Sequence, residues 1–288
     1  MGCQRGHLVQ ASDGLPARCV GPWSRHKLFY VRGYLDLVSR AMRRTFRDRH
    51  YLDLFAGPGR CVVDDGSGEI DGSPLIPFSL PIAFTAYHFA EADSEALAAL
   101  KARIQRAYPT AQVTYHEGDS NHLIEELRNV VPSSSLNVAL VDPTGLHLQF
   151  ESLSRLTRGR RMDLIYLFPE GMAVKRNIEQ FLGQQSSPLD DVLGTTQWRT
   201  RFGKRLPVSK DAEAEWERTG RPIVEVFRNQ LTSISYKDVR IGSEIVVRNR
   251  NNVPLYYLVF ASKHRLGHRL WDALQRIDPT GQIKLPLR

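Results

Sequence analysis

Five short apolar runs alternate with helix-like segments between residues 50 and 170, and this alternation constrains the fold more than any other feature of the chain. The runs predict strands at 50–56, 86–93, 111–119, 136–145 and 162–170, and the intervening segments space their apolar residues as helices do. Strands that alternate with helices form a parallel sheet covered on both faces. The sequence therefore predicts an α/β, Rossmann-like fold.

The regular alternation ends near residue 171. Segments at 238–248 and 254–262 read as two consecutive strands separated by a polar turn, which predicts a late antiparallel pair that completes a seven-stranded sheet. Helical patterns near 171–235 read as an insertion, and residues 1–22, rich in Gly, Pro and Ser, read as a flexible leader. We therefore predict a single domain over residues 23–288.

The bulk composition is that of an ordinary globular protein, with 42% hydrophobic and 24% charged residues. No apolar run approaches 18 residues, so a membrane-spanning helix is not expected. The three cysteines, Cys3, Cys19 and Cys61, are far apart, and the histidines lack metal-binding spacing, so we expect neither disulfides nor a metal site. This pattern suits a reducing cytoplasm, and the net charge of +8 suits a polyanionic partner.

Polar residues lie at the end of each of the first four predicted strands. They are Asp53 with Gly57-Pro58-Gly59, Glu91 with Asp93, Gly118 with Asp119, and Asp142 with Pro143. Ligands of open α/β sheets bind beyond the carboxyl ends of the strands. A carboxylate after the second strand can accept both ribose hydroxyls, and one after the third can accept the adenine amine. The pattern favours an adenosine-containing ligand.

Two common adenosine ligands fit the glycine turn poorly. A nicotinamide dinucleotide site needs G-x-G-x-x-G and an acidic residue about 20 positions later, but Val62 replaces the third glycine and Glu91 lies too far along the chain. A Walker-type phosphate-binding loop needs Gly-Lys followed by Ser or Thr after the glycines, and this is also missing. S-adenosylmethionine (SAM) carries a cationic sulfonium and no phosphate, so it suits the acidic strand ends better.

Five motifs together resemble the three-Cys-motif partner (TcmP) family. They are YLDLFAGPG at 51–59, GSPL at 72–75, GDSN at 118–121, VDPTG at 141–145 and PLYYLVFASKH at 254–264, and the resemblance covers roughly residues 20–275. The family is similar to class I SAM-dependent methyltransferases, and among these to ribosomal-RNA adenine-N6 methyltransferases. Its name refers to a cysteine motif in a genomically neighbouring protein, which the resemblance makes a candidate partner.

The resemblance implies roles for individual residues. Asp53, Gly57 and Gly59 would line the methionine part of SAM, and Phe55, Ala56 and Ser73 lie in the same cofactor-binding motifs. Glu91 would bind the ribose and Asp119 the adenine. Asp142 and Pro143 would form the part of the active site that holds the methyl acceptor, called here the catalytic floor. Lys27 could reach it from the first helix; the alternative is a solvated lysine at the helix start.

The chain departs from the amino-methyltransferase pattern at the catalytic floor. Those enzymes carry Asp, Asn or Ser, then Pro-Pro and an aromatic residue that stacks the flipped base. Here Asp142-Pro143 is followed by Thr144-Gly145, so the aromatic ring would have to come from elsewhere, for instance Tyr166 or Phe168.

Each predicted site residue also has a purely structural alternative: a buried structural carboxylate at Asp53, helix caps at Glu91, Asp93 and Ser73, and a turn residue at Asp142.

A basic segment at 198–205 interleaves aromatic and cationic residues. This segment could stack bases and hold phosphates through Trp198, Arg199, Arg201 and Lys204, or it could form an ordinary basic surface with its aromatic rings in the core.

The predicted function is methylation of a nucleic-acid nitrogen by a SAM-dependent enzyme. The alternatives are a non-catalytic module that binds SAM or nucleic acid for a partner protein, and a different nucleotide-handling enzyme.

Overall fold

A seven-stranded sheet forms the centre of the computed structural model, which describes residues 3–203, 222–237, 239, 244–277 and 279. The sheet strands are β3 (Arg49–Asp53), β6 (Ala86–Glu91), β7 (Val113–Glu117), β8 (Leu136–Val141), β9 (Arg161–Phe168), β10 (Ile245–Arg248) and β11 (Pro254–Ala261). Their spatial order is β10-β11-β9-β8-β3-β6-β7. The five strands from β3 to β9 in this sheet are parallel, whereas β11 is antiparallel to β9 and to β10. This confirms the predicted Rossmann-like fold with a late antiparallel strand.

Helices cover both faces of this sheet, because neighbouring residues of each strand point to opposite sides. The helices are α1 (Ser24–Met42), α2 (Ser94–Ala107), α3 (Ile124–Val130), α4 (Phe150–Thr157), α5 (Lys175–Gly183), α6 (Pro188–Leu193), α7 (Gln197–Gly203), α8 (Pro222–Ser233) and α9 (Arg265–Gln275). Tyr51 packs in the apolar cluster beneath α1, α2 and α9, and Leu52 packs in the cluster beneath α3, α4 and α8. All six side chains of β8 are buried, as expected for a central strand.

The amino-terminal segment differs from the flexible leader predicted for residues 1–22. It forms β1 (Leu8–Gln10) and β2 (Pro16–Val20), which join β4 (Arg60–Val63) and β5 (Glu69–Asp71) in a second sheet of order β1-β2-β4-β5. A disulfide links Cys3 to Cys19, which corrects the expectation from cysteine spacing. β1 pairs with β2, and β2 pairs with β4, some forty residues later; a local sequence pattern does not reveal this second pairing.

Buried Arg103 on α2 fixes this segment to the rest of the fold. Its guanidinium donates two 2.8 Å hydrogen bonds to the Asp13 carboxylate and 2.6 Å bonds to the carbonyls of Pro16 and Pro58. The Arg103 hydrogen bond holds the pKa of Asp13 at about 2, despite partial burial that opposes it. One side chain therefore joins the amino-terminal segment to the glycine turn after β3.

Helices form within residues 175–203 and 222–233, the described parts of the region where the helical insertion near 171–235 is predicted. A π-helical turn over Glu170–Val174 leads into α5, and it lies so close to β11 that a Cβ atom on Gly171 would come within 2.1 Å of the Pro254 carbonyl oxygen. The first residues of the predicted strand at 238–248 fall partly outside the described residues, and β10 begins at Ile245. No helix in the described part of the chain is long and apolar enough to cross a bilayer.

Candidate functional site

Asp53 ends β3 as a completely buried carboxylate. Its oxygens accept the backbone N–H of Phe55 at 3.2 Å and the hydroxyl of Tyr51 at 3.4 Å. Burial raises the pKa of Asp53 to about 7, and the nearby charge of Asp142 adds to the rise. Hydrogen bonds from Ser73 and Phe55, together with the charge of Lys27, offset only part of this effect. At the carboxyl end of β3, the positive charge of Lys27 therefore does not compensate for the burial of Asp53 and the nearby charge of Asp142.

The turn after Asp53 connects β3 to β6 through backbone hydrogen bonds. Ala56 donates to the Ala90 carbonyl at 3.0 Å, and Gly57 donates to a Glu91 carboxylate oxygen at 2.7 Å. Both glycines of the turn have positive φ, 63° at Gly57 and 85° at Gly59. A Cβ atom on Gly59 would lie 2.8 Å from a Leu100 methyl, so a larger residue there would be strained as well as crowded.

Asp142 follows β8 and forms an ion pair with Lys27, which lies in the first turn of α1. The two side chains are 16% and 15% exposed, so the pair is largely shielded from water. Burial opposes the charge on Lys27, but Asp142 outweighs it and raises the pKa of the lysine. Pro143 beside the pair is buried. The sequence left open whether Lys27 reaches Asp142, and the structure shows that it does.

Three residues that the sequence analysis did not select also lie near this pair. Burial raises the pKa of Tyr256 on β11 well above its usual range, and Asp142 contributes to the rise. Burial raises the pKa of Cys61 to about 11, with Lys27 opposing it. Tyr51 also touches the Ser73 carbonyl at 3.4 Å. Tyr256 is part of the PLYYLVFASKH motif and Tyr51 opens the YLDLFAGPG motif, so both carried a usable signal; Cys61 carried none.

The loop after β7 approaches the same edge. Asp119 is exposed, and one of its carboxylate oxygens accepts the Asn121 N–H at 2.7 Å. The Asn121 side chain donates to the His147 carbonyl at 2.7 Å and accepts the Gln149 N–H at 2.9 Å. The Ser120 hydroxyl hydrogen-bonds to the Leu54 carbonyl. These bonds tie the Asp119 loop to the loop after Asp142 and to the end of β3.

The Ser73 motif packs against the glycine turn, where the Gly72 N–H donates to the Gly59 carbonyl at 2.8 Å. Its predicted role as a helix cap is wrong, because the 3₁₀ helix begins at Ile76 after Leu75. The predicted cap at Asp93 is confirmed: its carboxylate accepts the N–H groups of Glu95 and Ala96, each at 3.1 Å.

Two of the residues predicted to contact nucleic acid, Trp198 and Arg199, make their contacts within the fold. Trp198 is completely buried, and its indole N–H donates to Asp190 at 2.7 Å, so its ring cannot stack a base. Arg199 hydrogen-bonds to Asp190 and to the carbonyls of Phe181 and Gln184, so its guanidinium is used within the fold. The side chain of Arg201 and the whole of Lys204 lie outside the described residues.

The rings suggested for the catalytic floor are also buried in the core. Tyr166 is 2% exposed and Phe168 is fully covered, and both pack on Phe227 of α8. Neither ring is therefore free to stack a base beside Asp142. Within the described part of the chain, no group of three or more His, Cys, Asp or Glu side chains is arranged to hold a metal ion.

No protein-family model and no curated protein sequence matches the chain. Among solved structures, Trm1 from Pyrococcus horikoshii in complex with SAM is similar over 98% of this chain and 71% of its own, with 15% identity and a TM-score of 0.46. TomG, an O-methyltransferase from Streptomyces achromogenes with SAM, matches over 81% and 79%, with 10% identity and a TM-score of 0.42. Magnesium protoporphyrin IX methyltransferase from Synechocystis with SAM matches over 84% and 85%, with 12% identity and a TM-score of 0.40. All three neighbours hold SAM, and two of them are described as methyltransferases.

Proposed function

We propose that this protein is a SAM-dependent methyltransferase of the TcmP family that methylates a nitrogen atom in a nucleic acid. One observation carries the proposal. The Asp142–Lys27 pair lies at the same sheet edge as the Asp53 carboxylate and the turn that joins Gly57 to Glu91. A site for methyl transfer needs both a place for the donor and a fixed acceptor beside it, and this edge offers groups suited to each.

The residues present suit a cationic adenosine ligand. The raised pKa of Asp53 reflects burial and a neighbouring carboxylate, and a positive ligand would relieve both effects. Each Glu91 oxygen accepts one backbone N–H, from Gly57 or Asp93, which leaves lone pairs for a ribose diol. We infer that Asp53 faces the amino-acid part of SAM, Glu91 the ribose and Asp119 the adenine. Bound SAM would supply a methyl group on a sulfonium.

Asp142 would position the methyl acceptor. One of its oxygens contacts Lys27, so the other is free of that contact and can accept a hydrogen of the target amine, with the Pro143 carbonyl taking the second. This aims the nitrogen lone pair at the donor, and positioning of this kind contributes a large part of catalysis. Lys27 would hold the Asp142 side chain in place, because the two form an ion pair that is largely shielded from water.

Replacing Asp142 by Ala tests this assignment. We expect single-turnover methyl transfer from labelled SAM to RNA or DNA to fall by about 100-fold or more, because an acceptor contact of the target amine is lost. SAM affinity should change much less, since the cofactor contacts lie on β3, β6 and β7. A melting curve on the same preparation checks folding. Transfer at the parental rate would remove Asp142 from the proposed catalytic floor.

A second candidate function is a non-catalytic module that binds SAM or nucleic acid and serves a partner, such as a genomically neighbouring cysteine-motif protein. The buried state of Tyr166 and Phe168 favours it, because neither ring is available to stack a base. A parent protein that binds SAM yet methylates no RNA, DNA or protein would support this candidate.

A cytoplasmic location stays a prediction, and the Cys3–Cys19 disulfide argues against it, since reducing compartments disfavour such bonds.

A further inference from the structure

Arginines collect at the amino ends of the central strands, opposite the candidate site. The segment that leads into β3 carries Arg43, Arg44 and Arg47, and the turn that leads into β9 carries Arg158 and Arg161. These five arginines are called the basic edge. The two segments flank β8 and lie close together, because the Arg161 guanidinium sits over the Phe46 ring at 5.7 Å and the Leu136 N–H donates to the Asp48 carbonyl at 3.0 Å.

All five side chains of the basic edge are exposed. Among the described residues, no carboxylate lies within ion-pair distance of any of them, although Arg161 donates a 3.2 Å hydrogen bond to the Ser134 carbonyl. The segment from Arg40 to Arg49 holds five arginines and one acidic residue, Asp48. A surface with this excess of guanidinium groups that lack a carboxylate partner attracts a polyanion.

Helix α1 connects the basic edge to the candidate site. Lys27, in the ion pair with Asp142, lies in its first turn, and Arg43 follows its last residue. Nineteen helical residues span about 28 Å at 1.5 Å per residue. Exposed Arg25, Arg32 and Arg40 lie along the same helix, each with a serine or aspartate partner. A ligand that reaches both ends must be long and negatively charged.

We propose that the basic edge binds the phosphate backbone of a nucleic acid while another part of the same molecule reaches Asp142. The substrate is then a folded or extended nucleic acid that spans about 28 Å of protein surface. Mononucleotides and very short oligonucleotides would be poor substrates. The position of methyl transfer rests on the proposed function, but binding at the basic edge does not require transfer.

Fluorescence anisotropy with labelled RNA and DNA hairpins of one sequence, each with a stem of about 20 base pairs, tests the proposal. The variant is Arg44→Gln/Arg47→Gln, and the control is Arg106→Gln/Arg176→Gln, which removes two exposed arginines outside the basic edge. For the first variant we expect at least about tenfold weaker binding and a salt dependence of log Kd that is shallower by about two. The control should bind as the parent does. Arg158→Gln, on the other segment, should weaken binding in the same direction.

Loss of binding to either hairpin supports the proposal and identifies the nucleic acid. Equal effects in the variant and the control would overturn it, as would binding to anionic phosphatidylserine vesicles with no binding to either hairpin. Melting curves confirm that each variant is folded. Hairpin binding is measured without SAM and needs no methyl transfer, so a parent that binds hairpins but transfers no methyl group overturns the proposed function and leaves this surface standing.

Discussion

Asp53 carries a cost in stability for the folded protein. A carboxylate without solvent exposure is unfavourable when ionised, and the neighbouring Asp142 makes it more so. Lys27 is the cation among the groups that shift its pKa, and this lysine already pairs with Asp142. Under the proposed function, a cationic ligand beside Asp53 would offset this cost.

Asp53→Asn should stabilise the protein at neutral and alkaline pH. The folded-state pKa of about 7 lies above the ordinary value of 3.8, so the folded protein binds the extra proton between these values and its stability falls as pH rises through that window. The amide removes this loss, and we expect a gain of roughly 2–4 kcal/mol at pH 8 and almost none at pH 4. Chemical denaturation of both proteins at the two pH values measures it. An equal difference at both pH values would contradict the assignment.

The same carboxylate should make SAM binding depend on pH. A cationic ligand prefers ionised Asp53, so protons compete with it below pH 7, and the affinity should fall by up to about tenfold per pH unit between 7 and 5.5. Titration calorimetry across this range measures the effect. An affinity that is flat with pH would separate Asp53 from the cofactor.

The sequence predicted which backbone segments form this edge but not how the side chains pair. Asp53 and Glu91 end their strands and Asp142 directly follows one, so the parallel sheet brings all three to the same edge. The partner of Asp142 could not be predicted with certainty, because Lys27 is 115 residues away in sequence. Trp198 was assigned to the wrong environment because composition does not distinguish a segment that faces solvent from one that packs inward. Here the hydrogen bond from the Trp198 indole to Asp190 directs the ring into the fold.

At the scale of elements, the amino-terminal segment is the largest difference between expectation and structure. Its two strands are short; β1 pairs with β2, and β2 pairs with β4 of the hairpin after the glycine turn. Buried Arg103 satisfies three backbone carbonyls and Asp13 in the same region. The β2–β4 pairing and the Arg103 contacts join residues that are distant in sequence, so the Gly-, Pro- and Ser-rich composition was misleading. The parallel strands, by contrast, carried a local apolar pattern and were predicted well.

Arg103→Met should detach this segment. The substitution retains an apolar chain of similar length but leaves the carbonyls of Leu15, Pro16 and Pro58 without their donor, at a cost of about 3–5 kcal/mol. Hydrogen exchange should quicken in residues 8–20 and in the glycine turn together. Arg106→Met, exposed on the same helix, serves as the control. Unchanged exchange at residues 8–20 in the Arg103 variant would show that other contacts hold the segment.

Viewed as a whole, the molecule places different chemistry at the two ends of its sheet. Carboxylates and one shielded lysine lie at the carboxyl ends of the strands, and arginines without a carboxylate partner lie at the amino ends. The net charge of +8 is consistent with a polyanionic partner, but the sequence alone did not show that the arginines of two distant segments meet. Strand order brings them together, because β9, β8 and β3 are neighbours.

Titration calorimetry of SAM into the parent and into Glu91→Ala tests the central claim most directly. Glu117→Ala is the matched control, since Glu117 is the register partner of Glu91 on β7. We predict that the parent binds SAM and that Glu91→Ala binds at least about tenfold more weakly, because charge-assisted hydrogen bonds contribute about 1.5–3 kcal/mol. The control should bind like the parent. A parent that gives no heat of binding, or a folded Glu91→Ala protein with parental affinity, would contradict the account.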